Sequence, residues 1–338
     1  MSIIMEVNTL LNYELYSDIL RVTESDVNLN EFKGKTVLIT GAGELLGFYL
    51  TCAFLISNDL YDTKIKVIAV DSSDDIFKQY GKLTYREDID FTVSEDYSNL
   101  LTTGADCVIS LKPLINDISA LNMFELINKN NARAVINSRS SVYGDVFNGR
   151  DKIYEGDIGY NDCCGENPDI QSMRCSESAA LALVKQYGRD IKLTRMCSVY
   201  GAMKKGCDKK YFDILTDVID KNDIEIEKND GALESCIYVT DAASAVLKIL
   251  LDGKPGDIYN IASAKASSVH IFAQFCVKLF SNLDLKIVYK EKPHTLSPMA
   301  PTVKVLDISK LKSLGISPEV ELQDGIVKAA KILYESKK

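Results

Sequence analysis

The run T-G-A-G-E-L-L-G at residues 40–47 has the residue types of a phosphate-binding turn. Glycines let the chain turn tightly and bring backbone N–H groups, and the N-terminus of a following helix, up to a pyrophosphate. Asp71 closes the next apolar run and stands where a carboxylate accepts hydrogen bonds from the ribose of a dinucleotide. This chemistry requires a strand before the turn and a helix after it. The flanking sequence supplies both: K-T-V-L-I-T at 35–40 reads as a buried strand, and a helical stretch follows from Glu44 to about Ser57.

Other elements must hold this turn in place. Further strands are expected at 64–71, 105–110, 132–138, 191–197, 236–239 and 258–261, and helices at about 116–130, 175–188, 211–221 and 241–252. Strands alternating with helices predict an α/β fold, a Rossmann-type doubly wound parallel sheet with a smaller C-terminal substrate-type region. Leu10, Leu11, Tyr13, Leu15, Ile19 and Leu20 suggest a short docking helix, and Phe272, Phe275 and Phe280 fall near helical spacing and suggest core. The expected division is an N-terminal helical extension over 1–33, a dinucleotide-binding-type domain over 34–200, and a substrate-type region over 201–338 from which 240–263 returns to the first domain.

The 338 residues are 46% apolar and 26% charged, ordinary values for a globular protein. Lys and Arg number 39 against 48 Asp and Glu, a net charge of −9. That balance argues against nucleic acid and against anionic membrane surfaces. No apolar run approaches the ~20 residues of a membrane span. The opening M-S-I-I-M-E-V-N lacks a basic region and does not read as a secretory signal. Nine scattered cysteines are expected as reduced, mostly buried thiols in a cytoplasmic protein. None has zinc-ligand spacing, the only histidines are His270 and His294, and both are expected at the surface, so no metal is expected.

In chain order, the motifs resemble those of the extended short-chain dehydrogenase/reductases: the nucleotide-sugar epimerases, dehydratases and decarboxylases. The resemblance runs from about Lys35 to the C-terminus. It comprises T-G-x-x-G-x-x-G from Thr40 to Gly47, Asp71, D-C-V-I-S-L-K-P at 106–113, V-Y-G at 142–144, S-E-S-A-A at 176–180 and R-M-C-S-V-Y-G at 195–201. It continues with I-Y-V-T-D-A-A-S-A at 237–245, G-D-I-Y-N-I-A-S at 256–263 and D-I-S-K-L-K-S-L-G at 307–315. The resemblance implies NAD or NADP, a nucleotide-diphosphate sugar, and a dimer through a four-helix bundle, either a homodimer or a heterodimer with an active relative. It puts Gly41, Gly43, Glu44, Gly47, Asp71 and Lys112 at cofactor positions.

Matched residue by residue, the family's Tyr-x-x-x-Lys pair falls on Met173 and Glu177. A thioether neither donates nor accepts a catalytic proton. The hydroxyl position four residues before Tyr143 is Arg139, flanked by Ser138 and Ser140, while Tyr143 itself is expected to support the turn. Glu44 replaces the middle glycine, Glu234 replaces an arginine that faces the sugar-nucleotide diphosphate, and Leu111 and Lys112 add bulk near the cofactor. The three acids Glu44, Glu177 and Glu234 all act against anionic ligands. Arg139 and Glu177 are expected to pair across the pocket, because buried charges persist when paired.

The leading expectation is a non-catalytic relative in glycan (surface polysaccharide) biosynthesis, a partner or regulator of an active enzyme. An active oxidoreductase or epimerase with relocated acid/base groups is the alternative, with Ser140, Cys175, Tyr160, the Cys163–Cys164 pair or Glu177 as candidates. A third reading is a pocket redeployed for a cationic or neutral ligand. Lys204 and Lys205, with Lys209 and Lys210, form a basic cluster that faces either phosphates or solvent.

Overall fold

The structure is a computed structural model that describes residues 6–114, 117–146, 151–160, 168–228, 233–290 and 305–337. Cys163, Cys164 and His294 lie outside the described residues.

The strands are β1 (Thr36–Thr40), β2 (Lys66–Asp71), β3 (Ile89–Val93), β4 (Cys107–Ser110), β5 (Arg133–Arg139), β6 (Ile191–Met196), β7 (Ser198–Tyr200), β8 (Ile224–Glu227), β9 (Cys236–Tyr238), β10 (Ile258–Ile261) and β11 (Ile287–Lys290). The helices are α1 (Val7–Leu10), α2 (Tyr13–Thr23), α3 (Leu45–Tyr61), α4 (Asp75–Tyr80), α5 (Asp117–Asn130), α6 (Asp169–Tyr187), α7 (Lys209–Asp220), α8 (Val239–Asp252), α9 (Val269–Leu279), α10 (Ser309–Lys312) and α11 (Leu322–Ser336).

Seven strands form one sheet in the order β10-β6-β5-β4-β1-β2-β3. All its pairings are parallel. This is the doubly wound sheet expected from the alternating pattern. Alternation within β1 shows the layering: Val37 and Ile39 pack with α3 and α8, while Leu38 packs on the other face with α5 and α6. β3 went unforeseen because I-D-F-T-V sits at the sheet edge, where polar residues alternate with apolar ones.

Two small parallel pairs, β7 with β9 and β8 with β11, stand apart from the main sheet. Side-chain caps start α2, α7 and α9: Asn12 accepts from Leu15 N–H, Asp208 from Lys210 N–H and Ser268 from Ile271 N–H. Helix α2 docks on α3, α8 and α11 around a buried carboxylate, Asp18. Tyr49 and Tyr238 donate their hydroxyls to Asp18 at 3.0 and 2.6 Å, and Lys328 on α11 approaches it at 3.4 Å.

Candidate functional site

The strand order reverses between β1 and β4, so a crevice opens beyond the carboxyl ends of these two strands. The 40–47 turn leaves β1 there, and Leu111, Lys112 and Pro113 leave β4 beside it. A cavity of about 590 Å³ lies along this edge, with Glu44, Lys112, Arg139 and Ser140 among its lining residues. Gly47 lets α3 lie directly on the turn: a Cβ there would meet the Gly41 carbonyl oxygen at 2.2 Å.

Asp71 is almost fully buried and heavily engaged. It accepts from Gly43 N–H at 3.0 Å, from Ser72 N–H at 2.7 Å and from Lys112 Nζ at 2.7 Å, and Lys205 Nζ lies 3.2 Å away. Burial pushes its carboxyl up, but hydrogen bonds and charge from Lys112, with Ser72 and Lys205, bring it below the usual range. Thus the acid expected to face a ribose holds two ammonium groups.

The amide of Leu45, first residue of α3, donates to the Lys205 carbonyl at 2.8 Å. A first-turn amide has no partner within its helix, and it is the donor that a phosphate takes. Gly206 packs against Glu44 in the same place, at a φ of +80°. The segment is anchored on the cavity's own wall, where Asp208 N–H donates to the Val199 carbonyl and Ser198 Oγ to the Asp208 carboxylate. Glu44 is half-buried, and burial raises its pKa against the lowering effect of Lys112.

Helix α6 begins at Asp169, earlier than the pattern suggested, so Met173 and Glu177 lie one turn apart on its inner face. Met173 packs with Val142 and Ile170. Glu177 makes a two-pronged pair with Arg195: Nη2 to Oε2 at 2.7 Å and Nε to Oε1 at 3.1 Å. Both side chains are 7% exposed. Burial works against the Arg195 charge, and the Glu177 carboxylate more than offsets it, so the guanidinium pKa rises.

The expected Arg139–Glu177 pair is therefore corrected. Arg139 pairs in register with Met196, and both line the cavity, whereas Ser138 pairs with Arg195 on the opposite pleat, which faces α6. Arg139 itself is exposed. Ser138 is buried with an unpartnered hydroxyl, and Ser140 is at the cavity's edge. Tyr143 is buried, as a supporting residue should be. Its hydroxyl donates to Asn260 Oδ1 at 2.6 Å, and Arg195 stacks 4.6 Å from its ring centre. Burial pushes its phenol up to about 12.

The remaining candidates are scattered. Cys175 is exposed on the outer face of α6, Tyr160 is 69% exposed, and neither lines the cavity. Glu234 accepts from the Tyr211 hydroxyl at 2.8 Å. Lys204 is exposed, whereas its neighbour Lys205 crosses to Asp71 rather than to any substrate-side position. Cys197 and Cys207 line the cavity, but burial pushes both thiols up, Cys207 to about 12. Sequence reasoning missed Arg195 as the partner of Glu177. It lay in plain view within R-M-C-S-V-Y-G, and only strand alternation distinguishes it from Arg139.

Among the described residues no group of three His, Cys, Asp or Glu side chains could hold a metal, and no helix is long and apolar enough to cross a membrane.

Residues 37–262 match the NAD dependent epimerase/dehydratase family. UDP-glucuronic acid decarboxylase 6 of Arabidopsis thaliana is 24% identical over 311 residues, covering 86% of each chain. UDP-glucuronic acid decarboxylase 3 of the same plant is 25% identical over 218 residues, and the match spans 60% of that protein. Among solved structures, the dTDP-glucose 4,6-dehydratase of Bacillus anthracis in complex with NAD superposes with a TM-score of 0.74 at 18% identity, covering 89% of this chain and 97% of that one. The epimerase Mth375 of Methanothermobacter thermautotrophicus gives 0.75 at 17% identity, covering 96% of both. The solved structures share the fold, and the match over most of the sheet, from β1 to β10, sets its lineage: the chain belongs to the NAD-dependent epimerase/dehydratase family.

Proposed function

We propose that this chain is a non-catalytic member of that family, serving as a partner or regulator of an active relative in glycan biosynthesis. The buried Glu177–Arg195 pair carries the reading. It supports the loss of proton transfer because a carboxylate locked to a guanidinium occupies the expected lysine position, and Met173, a turn earlier, occupies the tyrosine position. Tyr143 is no substitute, since its phenol is buried, raised and committed to Asn260.

The family is NAD-dependent, and the Bacillus anthracis relative was solved with NAD. The residues of this chain do not fit that cofactor as they stand. Asp71 holds Lys112 and Lys205, the Leu45 amide holds the Lys205 carbonyl, and a carboxylate at Glu44 stands beside the turn.

A partner chain fits α5 and α6, which pack side by side and leave Ile118 and Leu121 60% and 67% exposed. The test is direct: purified protein with NAD⁺ and, in turn, UDP-glucuronic acid, UDP-glucose and dTDP-glucose. No product by chromatography and no absorbance change at 340 nm are expected. Turnover of any of the three overturns the reading.

A further inference from the structure

We propose that Met203–Cys207 is a strap that occupies the dinucleotide groove of its own chain, making the contacts that an ADP moiety needs, and that displacing it opens the groove. This is independent of whether proton transfer is lost.

Three contacts converge on the two anchors of such a site. The Lys205 carbonyl accepts the Leu45 amide at 2.8 Å, in the place of a phosphate oxygen at the helix N-terminus. The Lys205 ammonium lies 3.2 Å from Asp71, in the place of a ribose hydroxyl. Lys112 adds a second cation to the same carboxylate at 2.7 Å. One residue therefore spans both anchors, its main chain at the phosphate end and its side chain at the ribose end.

The fit depends on Gly206. Its φ is +80°, and a Cβ there would stand 2.6 Å from Glu44 Cβ and 2.8 Å from the Leu45 nitrogen. The strap thus lies in contact with the turn, leaving no layer for a ligand between them. Both ends are held: Met203 Sδ accepts from Gln79 at 3.7 Å, and the Cys207 thiol donates to the Gly201 carbonyl at 3.8 Å. Being intramolecular, the strap meets its anchors at high effective concentration, so a free nucleotide must displace it.

Gly206→Ala lifts the strap without altering Leu45, Asp71 or Glu44. Two readouts follow. Hydrogen exchange at the Leu45 amide is slow in the unaltered chain and at least tenfold faster in Gly206→Ala, with amides of β1 and β4 as unchanged controls. Calorimetric titration with ADP gives no binding by the unaltered chain below about 1 mM and at least tenfold tighter binding by the variant. Lys205→Ala, which keeps the backbone and removes one of the two ammonium groups on Asp71, shifts ADP affinity in the same direction and serves if Gly206→Ala folds poorly. Equal Leu45 exchange in both chains overturns the strap. So does micromolar ADP binding by the unaltered chain with Leu45 still protected, or a freed Leu45 amide with no gain in ADP affinity. Sugar-nucleotide turnover bears on the loss of catalysis and leaves these readouts untouched.

Discussion

Glu177 and Arg195 hold each other through two hydrogen bonds in a site from which water is nearly excluded. Such a pair adds little over apolar packing when whole, but breaking it strands a buried charge. Glu177→Ala and Arg195→Ala should each destabilise by about 3–5 kcal/mol in urea unfolding. The joint replacement Glu177→Met with Arg195→Leu should cost markedly less than the sum. Additive losses would show that the two groups are not coupled.

Asp71 gives the acid limb of stability. Its pKa is lowered in the folded chain, so its contribution is present above the unfolded carboxylate value and is lost as pH falls through that value towards the folded one. Asp71→Asn should lower stability at pH 7 and flatten the loss that begins as pH falls through the unfolded carboxylate value. A pH profile of denaturant midpoints unchanged by the substitution would contradict the two-lysine clasp.

Asp241 works in the opposite sense. Burial raises its carboxyl to about 6, while the Val320 amide at 2.8 Å opposes the shift. Between the unfolded value and about 6 the folded chain binds the extra proton, so its contribution is fully present below that window and is lost as pH rises through it. Asp241→Asn, which keeps an acceptor for Val320, should stabilise by about 1–2 kcal/mol at pH 7.5 and by almost nothing at pH 3.5. Thermal unfolding at the two pH values reads the difference.

Gly47→Ala should be severe. The added methyl would press on backbone at Gly41 and Ala42 rather than on a side chain that can swing away. A loss above about 3 kcal/mol, or an insoluble product, is expected. Near-neutral stability would mean that α3 does not sit on the turn.

Much of the frame was legible because buried parallel strands announce themselves. K-T-V-L-I-T and A-R-A-V-I-N-S need no context to be read. The edge strand β3 and the small pair of β8 and β11 lack that signature, since each exposes a polar or solvent-facing side. In the site, the unusual residue types at 44, 173, 177 and 234 could be read singly. Their partners could not. That Glu177 needs a cation follows from its burial, but whether Arg139 or Arg195 supplies it depends on which pleat each occupies in a sheet not yet built. Lys205 was harder still, for it lies 134 positions beyond Asp71 in a loop with no periodicity, and its one signal was the local basic cluster with Lys204, Lys209 and Lys210, which does not name a partner.

The Asp18 cluster orders events during synthesis. Its first phenol, Tyr49, follows 31 positions later, but Tyr238 and Lys328 follow 220 and 310 positions later. At about 5–20 residues per second, the ribosome delivers the last of these roughly 15–60 s after Asp18 itself. Until α8 and α11 are made, Ile19 and Val22, both fully buried in the folded chain, lack the part of their cover that those helices supply. Helix α2, made early, is thus sealed by residues made much later.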